Sequence, residues 1–332
     1  MDKRTIYSKL NTTQGIGDLL ALDDFSQVYA EADRVRKENV GDTVHLRAII
    51  EFSNICKRQC LYCGLNRENK ELPRFRMTAD EIVETAKEAV EAGYRTIVLQ
   101  SGEEDGVSRE FVADVITRIK ALDPPPAVTV SCGEKDEDTY KYWRAKGADR
   151  YLLKHETADE ELYDKFHTCG DLINRVHCLR TLRKLGYETG SGFMVGLPGQ
   201  TLETLGKDLL LLKDIPCQMA GIGPFISNPK TALAGKPNGD PELTRRCVAI
   251  ARLLLPEANL PLTTALSILT AEDNVMQENP FAFGANVIMK KVTPDKYKEA
   301  YEIYPAEYKE TCILQDRKEV EMMIEYYGRV PI

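Results

Sequence analysis

The sequence predicts an α/β protein, an eight-stranded (β/α)8 TIM barrel with N-terminal helices and a C-terminal tail packed on it. Two observations lead to this prediction. Short apolar, β-branched runs alternate with amphipathic helical patterns along most of the 332 residues, which is typical of a parallel sheet covered by helices. Eight such runs are present, and eight parallel strands close a TIM barrel.

Each predicted strand is short and leads into a turn or a helical pattern. The strands are predicted at residues 44–52, 96–100, 127–131, 151–155, 188–195, 219–225, 262–268 and 286–289. The first helix follows the capping box of Thr78 and Glu81 and ends at Gly93. Asp240 and Pro241 start the last one with a capping carboxylate and a proline at the first helical position. Helices are also predicted at 111–121, 137–146, 173–185, 202–213 and 241–255.

The segment before the first strand has a helical pattern with one apolar stripe. The residues of this stripe are Phe25, Val28, Tyr29, Ala32 and Val35. No linker, repeat or low-complexity tract interrupts the chain. We therefore expect one domain, with a helical extension at 1–43, a barrel at 44–296 and a tail at 297–332.

Composition and charge are those of a globular enzyme. Hydrophobic residues make up 43% of the chain and charged residues 29%, and the formal net charge is -8. An acidic surface does not attract nucleic acid or an anionic membrane, so neither partner is expected. No apolar run reaches the roughly 18–20 residues that span a bilayer, and the N-terminus lacks the apolar core of a signal peptide. We expect a cytoplasmic protein.

Three of the nine cysteines lie in one loop directly after the first strand. Cys56, Cys60 and Cys63 have the spacing C-x3-C-x2-C. Thiolates so placed can ligate three irons of a cubane cluster and leave the fourth iron open to another ligand. A structural zinc site would need four ligands, and no fourth Cys or His is near. A disulfide does not suit the cytoplasm. We expect the other six to be small buried side chains: Cys132, Cys169, Cys178, Cys217, Cys247 and Cys312.

The triad, with the aromatic Tyr62 directly before its last cysteine, resembles the radical S-adenosylmethionine (SAM) superfamily. Further blocks resemble the HydE family within it, the maturases of iron–iron hydrogenase. They are CLYCGLNR (60–67), RFRMT (74–78), IVLQSGE (97–103), YLLKHET (151–157), GYETG (186–190), MVGLPGQT (194–201), GIGPF (221–225) and GANVIM (284–289). The likeness runs from about Ile50 to the end of the chain. It implies one three-cysteine 4Fe–4S cluster whose open iron binds SAM, and cleavage of SAM to a 5′-deoxyadenosyl radical.

The resemblance also implies several contacts to SAM. Tyr62 would lie near the adenine, or else be a core tyrosine. Ser101, Gly102 and Glu103 match a Gly-Gly-Glu-like turn whose backbone meets the SAM amino group, and Gly102 permits the close approach. Glu156 would contact the ribose hydroxyls or the amino group, or else cap the next helix.

Further candidate contacts come from other parts of the barrel. By the resemblance, Arg175 pairs with the SAM carboxylate, a task suited to a guanidinium fork. Ser131, followed by Gly133 and Glu134, matches a turn facing SAM or substrate. Met219 matches a methionine near SAM, with core packing as the alternative.

The last candidates come from the seventh strand and the tail. Thr263 and Thr264, on that strand, would present hydroxyls to an anionic ligand or simply fill a barrel layer. Tyr301 and Tyr304 match tyrosines that close the cavity, with a helix stripe as the alternative. Cys312 is alone in its region, so we expect no auxiliary cluster there.

The resemblance implies a role in assembling the di-iron subcluster of the hydrogenase, acting on a cysteine-bound iron carbonyl–cyanide complex. Expected partners are other hydrogenase maturases and a reductant such as ferredoxin or flavodoxin. The nearest alternative is an amino-acid mutase similar to methylornithine synthase, acting on an amino-acid-derived substrate. A third hypothesis is a non-catalytic cluster carrier. Formation of 5′-deoxyadenosine would exclude this hypothesis.

Overall fold

The computed structural model describes residues 1–270, 279–305, 310 and 312–332. Its strands are β1 Thr43–Ser53, β2 Thr96–Ser101, β3 Ala127–Ser131, β4 Arg150–Leu152, β5 Glu188–Ser191, β6 Met194–Val195, β7 Met219–Ala220, β8 Gly223–Pro224, β9 Pro261–Leu262, β10 Val287–Lys291 and β11 Val330–Pro331. Its helices are α1 Lys3–Lys9, α2 Thr13–Leu20, α3 Ser26–Val40, α4 Ala79–Glu91, α5 Arg109–Lys120, α6 Glu137–Ala145, α7 Glu160–Phe166, α8 Leu172–Lys184, α9 Leu202–Asp214, α10 Pro241–Leu254, α11 Thr264–Thr270, α12 Asp295–Lys298 and α13 Ile313–Tyr326.

Eight parallel strands form the barrel that the sequence predicts. Their order is β7-β5-β4-β3-β2-β1-β10-β9. A parallel bridge between Met219 and Asn259 links the first strand of this series to the residues just before the last. The sheet therefore nearly closes, and its strand ends gather the loops on which functional residues of such barrels lie.

Two of the predicted strands are each divided in two. The predicted strand at 188–195 consists of β5 and β6, and the one at 219–225 consists of β7 and β8. The cause is a close crossing, because a Cβ on Gly192 would lie 2.1 Å from the carbonyl oxygen of Gly221. Both segments leave the barrel sheet there, and β6 and β8 pair with each other in a separate two-stranded sheet.

The prediction of a strand at 262–268 is wrong. Only β9 is extended, and α11 follows it at once. The hydroxyl oxygen of Thr263 accepts from the backbone N–H of Leu266 at 3.4 Å, as an N-cap does. A short apolar run does not distinguish a strand from a buried helix, and here Ala265 and Leu266 are buried from a helix. Helix α7 was also missed.

The segments on either side of the barrel pack against it. The helix α2 lies on α9 and α3 on α10, and Val28, Ala32 and Val35 of the predicted stripe are buried in the main core. At the other end of the chain, β11 pairs with the start of β1. Within the described residues, no helix is both long and apolar enough to cross a membrane.

Candidate functional site

The cysteine loop lies between β1 and α4, at the carboxyl end of the barrel strands. Three neighbouring segments hold its backbone. Lys57 N–H donates to the carbonyl of Glu103 at 2.7 Å, Leu61 N–H to that of Phe166 at 3.0 Å and Gly64 N–H to that of Ile303 at 2.9 Å. The turn after β2, the end of α7 and the tail therefore fix the loop from three sides.

Gly102 allows the loop to approach the turn after β2. A Cβ at this position would lie 2.3 Å from the carbonyl oxygen of Ile55 and 2.8 Å from the Cβ of Cys56. No side chain fits in that space without moving the loop. The glycine singled out in the sequence thus controls where the first cysteine lies.

The three cysteine side chains are half-buried. Burial, with Cys56 close by, raises the pKa of Cys60 to about 12, and burial also raises the pKa of Cys63. Thiolates in such a site need a metal to stabilise them. Among the described residues, no group of His, Cys, Asp or Glu converges as one metal ion requires. A cubane cluster offers a different iron to each thiolate, so the cysteines need not converge on one point.

Alternating charges lie beside the loop. Arg58 pairs with Glu103 at 2.7 Å and with Glu134 at 2.9 Å, and Arg175 pairs with Glu134 at 2.8 Å. The backbone N–H of Glu134 also donates to Glu103 at 3.0 Å. In this part of the described chain, Nε of Arg58 is buried without a hydrogen bond, whereas Oε1 of Glu134 is engaged by Arg175. An unused guanidinium donor beside two carboxylates suits a ligand that carries both a carboxylate and an amino group.

Tyr62, in the cysteine loop, and Glu156, in the segment after β4, are both surrounded by ionisable groups. Burial alone would raise the pKa of Glu156, but Lys154, 3.0 Å from its carboxylate, and Arg175 lower it, so the group is ionised. Burial lowers the pKa of His167 to about 4. The imidazole is therefore neutral, and its Nε2 lies 2.7 Å from the Tyr62 hydroxyl, which donates to it.

Comparison with known proteins identifies the family. Residues 50–212 match the profile of the Radical SAM superfamily. The whole chain is 45% identical to the FeFe hydrogenase maturase subunit HydE of Thermotoga maritima, and 96% of that protein is covered. The chain belongs to the HydE family. Family membership implies a 4Fe–4S cluster and SAM as cofactors, and the cysteine loop has the donor set and the open position that they need. The chain is thus a radical SAM enzyme of the hydrogenase maturase type.

Two further relatives have another activity in their names. The chain is 28% identical to the 3-methylornithine synthase of Methanosarcina barkeri, over 96% of this chain and 90% of that protein. The crystal structure of methylornithine synthase (PylB) aligns with a TM-score of 0.80 at 25% identity, over 99% of this chain and 97% of that one. Both likenesses fit the barrel described above.

Most of the residues predicted from the HydE resemblance lie around the loop. Tyr301 packs in one apolar cluster with Leu65 and Leu72, against which Cys56 and Cys63 also lie. Tyr62 belongs to the loop, and the residues that meet the loop or its charged surroundings are Gly102, Glu103, Glu156 and Arg175. Glu156 does not cap α7, because Asp159 does so.

Other predicted residues lie along the barrel interior or at strand ends. Ser101 ends β2 and Ser131 ends β3, and the Ser101 hydroxyl donates to the carbonyl of Gly102 at 2.7 Å. The Met219 sulfur lies 3.0 Å from Arg47 inside the barrel. Thr263 and Thr264 are at the start of α11 and not on a strand, which corrects their predicted position. Their roles toward a ligand, like those of the SAM contacts, stay predictions.

Sequence reasoning missed three contributors to the site. Arg58 lies between the first two cysteines, so its position was visible although its carboxylate partners were not. Lys154 lay inside the predicted strand at 151–155 with no sign of its carboxylate partner, and His167 carried no signal because α7, whose C-cap it is, was not predicted. The expectation of burial is right for Cys132, Cys178, Cys217 and Cys247 but wrong for two cysteines. Both Cys169 and Cys312 are exposed, and Cys169 lines a cleft that Cys60 also lines.

Proposed function

We propose that this HydE-family enzyme carries out radical chemistry on a cysteine-bound iron carbonyl–cyanide complex during assembly of the hydrogenase di-iron subcluster. The observation that carries the proposal is the 45% identity to HydE over the full chain, which extends well beyond the cysteine loop into every barrel unit. When bound, the cluster supplies the electron that cleaves SAM to methionine and a 5′-deoxyadenosyl radical.

The residues around the loop would bind and orient SAM. Arg175 would take the SAM carboxylate, because its guanidinium lies 2.8 Å from Glu134 and can exchange that partner for another carboxylate. Glu103 would take the amino group together with the turn at Gly102. The Glu156 carboxylate, kept ionised by Lys154, would accept hydrogen bonds from the ribose or the amino group. These contacts would fix the sulfonium beside the open iron.

The barrel interior would take the substrate. Half-buried polar side chains lie at the carboxyl ends of the barrel strands, among them Gln100, Ser131 and Lys291. Lys291 pairs with the buried Glu51 at 2.9 Å. Its ammonium group would exchange part of that pairing for an anionic complex of iron with cysteine, cyanide and carbon monoxide. Another maturase would deliver it, ferredoxin or flavodoxin would supply electrons, and the reaction would take place in the cytoplasm.

Two assays test the proposal. The cluster is reconstituted without oxygen, the enzyme is reduced with SAM present, and 5′-deoxyadenosine is measured. The same preparation is then added to a cell-free hydrogenase activation mixture that contains the other maturases and lacks HydE. We expect 5′-deoxyadenosine and active hydrogenase. Four bound irons without SAM cleavage would instead identify a cluster carrier.

Amino-acid mutase activity is the second candidate, favoured by the TM-score of 0.80 to methylornithine synthase. Lysine is offered to the reduced enzyme with SAM, and the products are examined for 3-methylornithine. Conversion of lysine together with failure to activate hydrogenase would overturn the maturase proposal. We expect no conversion of lysine.

A further inference from the structure

Glu156 has a backbone conformation that non-glycine residues rarely adopt. Its φ is 66°, and among the described non-glycine residues only Pro216 also has a positive φ. Such a conformation costs about 1–3 kcal/mol and persists only where the surroundings impose it. Backbone bonds hold the residue on both sides, since its N–H donates to Gly192 and its carbonyl accepts from Met194, each at 3.0 Å.

A buried carboxylate on α9 fastens the chain immediately around Glu156. One oxygen of Asp208, Oδ1, accepts from the backbone N–H of Ala158 and lies 3.5 Å from Nε2 of His155. The side chains of both Asp208 and His155 are fully buried. The second residue after Glu156 is therefore hydrogen-bonded to an oxygen atom that the side chain of the residue before Glu156 also faces, at 3.5 Å.

Three hydrogen bonds of the Gln200 side chain fix this arrangement. The other oxygen of Asp208 accepts from the Gln200 amide at 3.4 Å, and the same amide nitrogen donates to the carbonyl of Met194 at 2.9 Å. The Gln200 amide oxygen accepts from the backbone N–H of Gly196 at 2.6 Å, so the amide cannot flip without losing a bond. Asp208 thus connects the Glu156 turn to the segment at β6.

The hydrogen bonds of Ser191 determine that Nδ1 of the His155 ring carries a hydrogen. The Ser191 hydroxyl donates to the carbonyl of Leu153 at 3.0 Å and therefore accepts from Nδ1 of His155, which lies 2.9 Å away. Nδ1 then carries a hydrogen. Within the described part of the chain, Nε2 of His155 has no hydrogen bond of its own and lies 3.5 Å from the Asp208 carboxylate.

We propose that Asp208 and His155 are positioning residues that hold the left-handed backbone of Glu156 and so aim its carboxylate at SAM. The inference rests on the proposed function, because Glu156 acts there as a SAM ligand. Neither residue of the pair can touch SAM, since both side chains are fully buried. Their effect on SAM must pass through Glu156.

The variant Asp208→Asn tests this with almost no change of shape. A carboxamide has one oxygen and one NH2 group. With its oxygen toward Ala158, the NH2 group faces the donating amide of Gln200; turned round, the NH2 group faces the N–H of Ala158. Either way a buried donor loses its acceptor. We expect the Glu156 turn to relax and SAM affinity to fall about tenfold, the effect of one lost buried hydrogen bond.

The measurement is a double-mutant cycle on SAM binding to the reconstituted enzyme. Wild type, Asp208→Asn, Glu156→Ala and the double variant are compared by calorimetry and by the change that SAM causes in the spectrum of the reduced cluster. Asp208→Asn should cost nothing further once Glu156 is alanine. The inference would be overturned if Asp208→Asn bound SAM as tightly as wild type. It would also be overturned if Asp208→Asn lowered SAM affinity by the same factor in the Glu156→Ala background as in wild type.

Asp149→Asn is the matched control at the opposite end of β4. One oxygen of Asp149 also accepts a backbone N–H, from Val128 at 2.8 Å, and lies 3.0 Å from the cation of Lys120. A carboxamide oxygen can keep both contacts, so SAM affinity should equal that of wild type. If Asp149→Asn lost as much SAM affinity as Asp208→Asn, the loss would reflect general destabilisation and the inference would be overturned.

A second variant keeps the inference testable if Asp208→Asn does not fold. Ser191→Ala removes the acceptor for Nδ1 and for the backbone N–H of His155 and the donor to the carbonyl of Leu153, and it leaves Asp208 in place. It should weaken SAM binding by a few-fold, again only while Glu156 is present, and unchanged affinity would contradict the inference. If the wild type binds SAM but forms no 5′-deoxyadenosine, the proposed function fails while the cycle still reports on Glu156.

Discussion

At the residue scale, the triad cysteines differ from a fourth cysteine beside them. Cys60 and Cys169 line the same cleft, but only Cys60 belongs to the loop. We expect Cys60→Ala to abolish the brown chromophore and SAM cleavage, because two thiolates do not hold the cluster. Cys169→Ala, the matched control, should keep both. Iron content and visible absorbance check this; a stable chromophore in Cys60→Ala would mean that the ligands are misassigned.

The site could be predicted from the sequence where its contacts are local. The triad lies within eight residues, so its spacing alone indicated an iron–sulfur cluster. The contact of Tyr62 with His167 joins residues 105 positions apart, and no periodic pattern connects such segments. Thr263 and Thr264 were assigned to a strand because their neighbours are apolar, and a short apolar run does not distinguish a strand from a buried helix.

At the element scale, the cysteine loop depends on its approach to the end of β2. We expect Gly102→Ala to displace the loop at Cys56 and to lower iron content several-fold, because the added Cβ would lie 2.3 Å from the carbonyl of Ile55. The loss of stability should be about 1–3 kcal/mol. Iron analysis and urea unfolding measure the two effects.

Gly17→Ala is the control for Gly102→Ala. It lies inside α2, where a Cβ would meet its nearest foreign atoms at 3.6 Å, an ordinary contact. Alanine is the better helix former, so this variant should be as stable as wild type or up to about 1 kcal/mol more stable. Equal iron content in wild type and Gly102→Ala would show that the loop does not need the glycine.

The helices were easier to predict than the last strands. The capping box at Thr78 and the start of α10 at Asp240 are present as predicted, because capping is a local interaction between side chain and backbone. The predicted strands at 188–195 and 219–225 are each interrupted because the two segments cross closely at Gly192 and Gly221. That crossing joins distant parts of the chain and leaves no local pattern.

At the scale of the whole molecule, Glu81 joins the first barrel helix to the segment that leads into the tail. Its carboxylate accepts from Lys296 Nζ at 2.6 Å, from the Tyr297 hydroxyl at 2.8 Å and from the N–H of Thr78 at 2.8 Å. These bonds, that of Lys296 first, lower the pKa of Glu81 to about 2 from its ordinary 4.5. The ionised form is therefore favoured in the folded protein.

A carboxyl group whose pKa is lowered by folding stabilises the protein above its unfolded pKa and loses that effect as the pH falls toward the folded value. We expect Glu81→Gln to cost about 1 kcal/mol at pH 7, given its partly exposed site. That difference from wild type should shrink between about pH 4.5 and pH 2, the interval between the two pKa values. Urea unfolding of the cluster-free protein across this range measures it. Glu91→Gln, at the other end of α4 and 4.0 Å from Lys87, should show almost no difference at any pH. A difference for Glu81→Gln that stays constant down to pH 3 would mean that the carboxylate does not stabilise the link between barrel and tail.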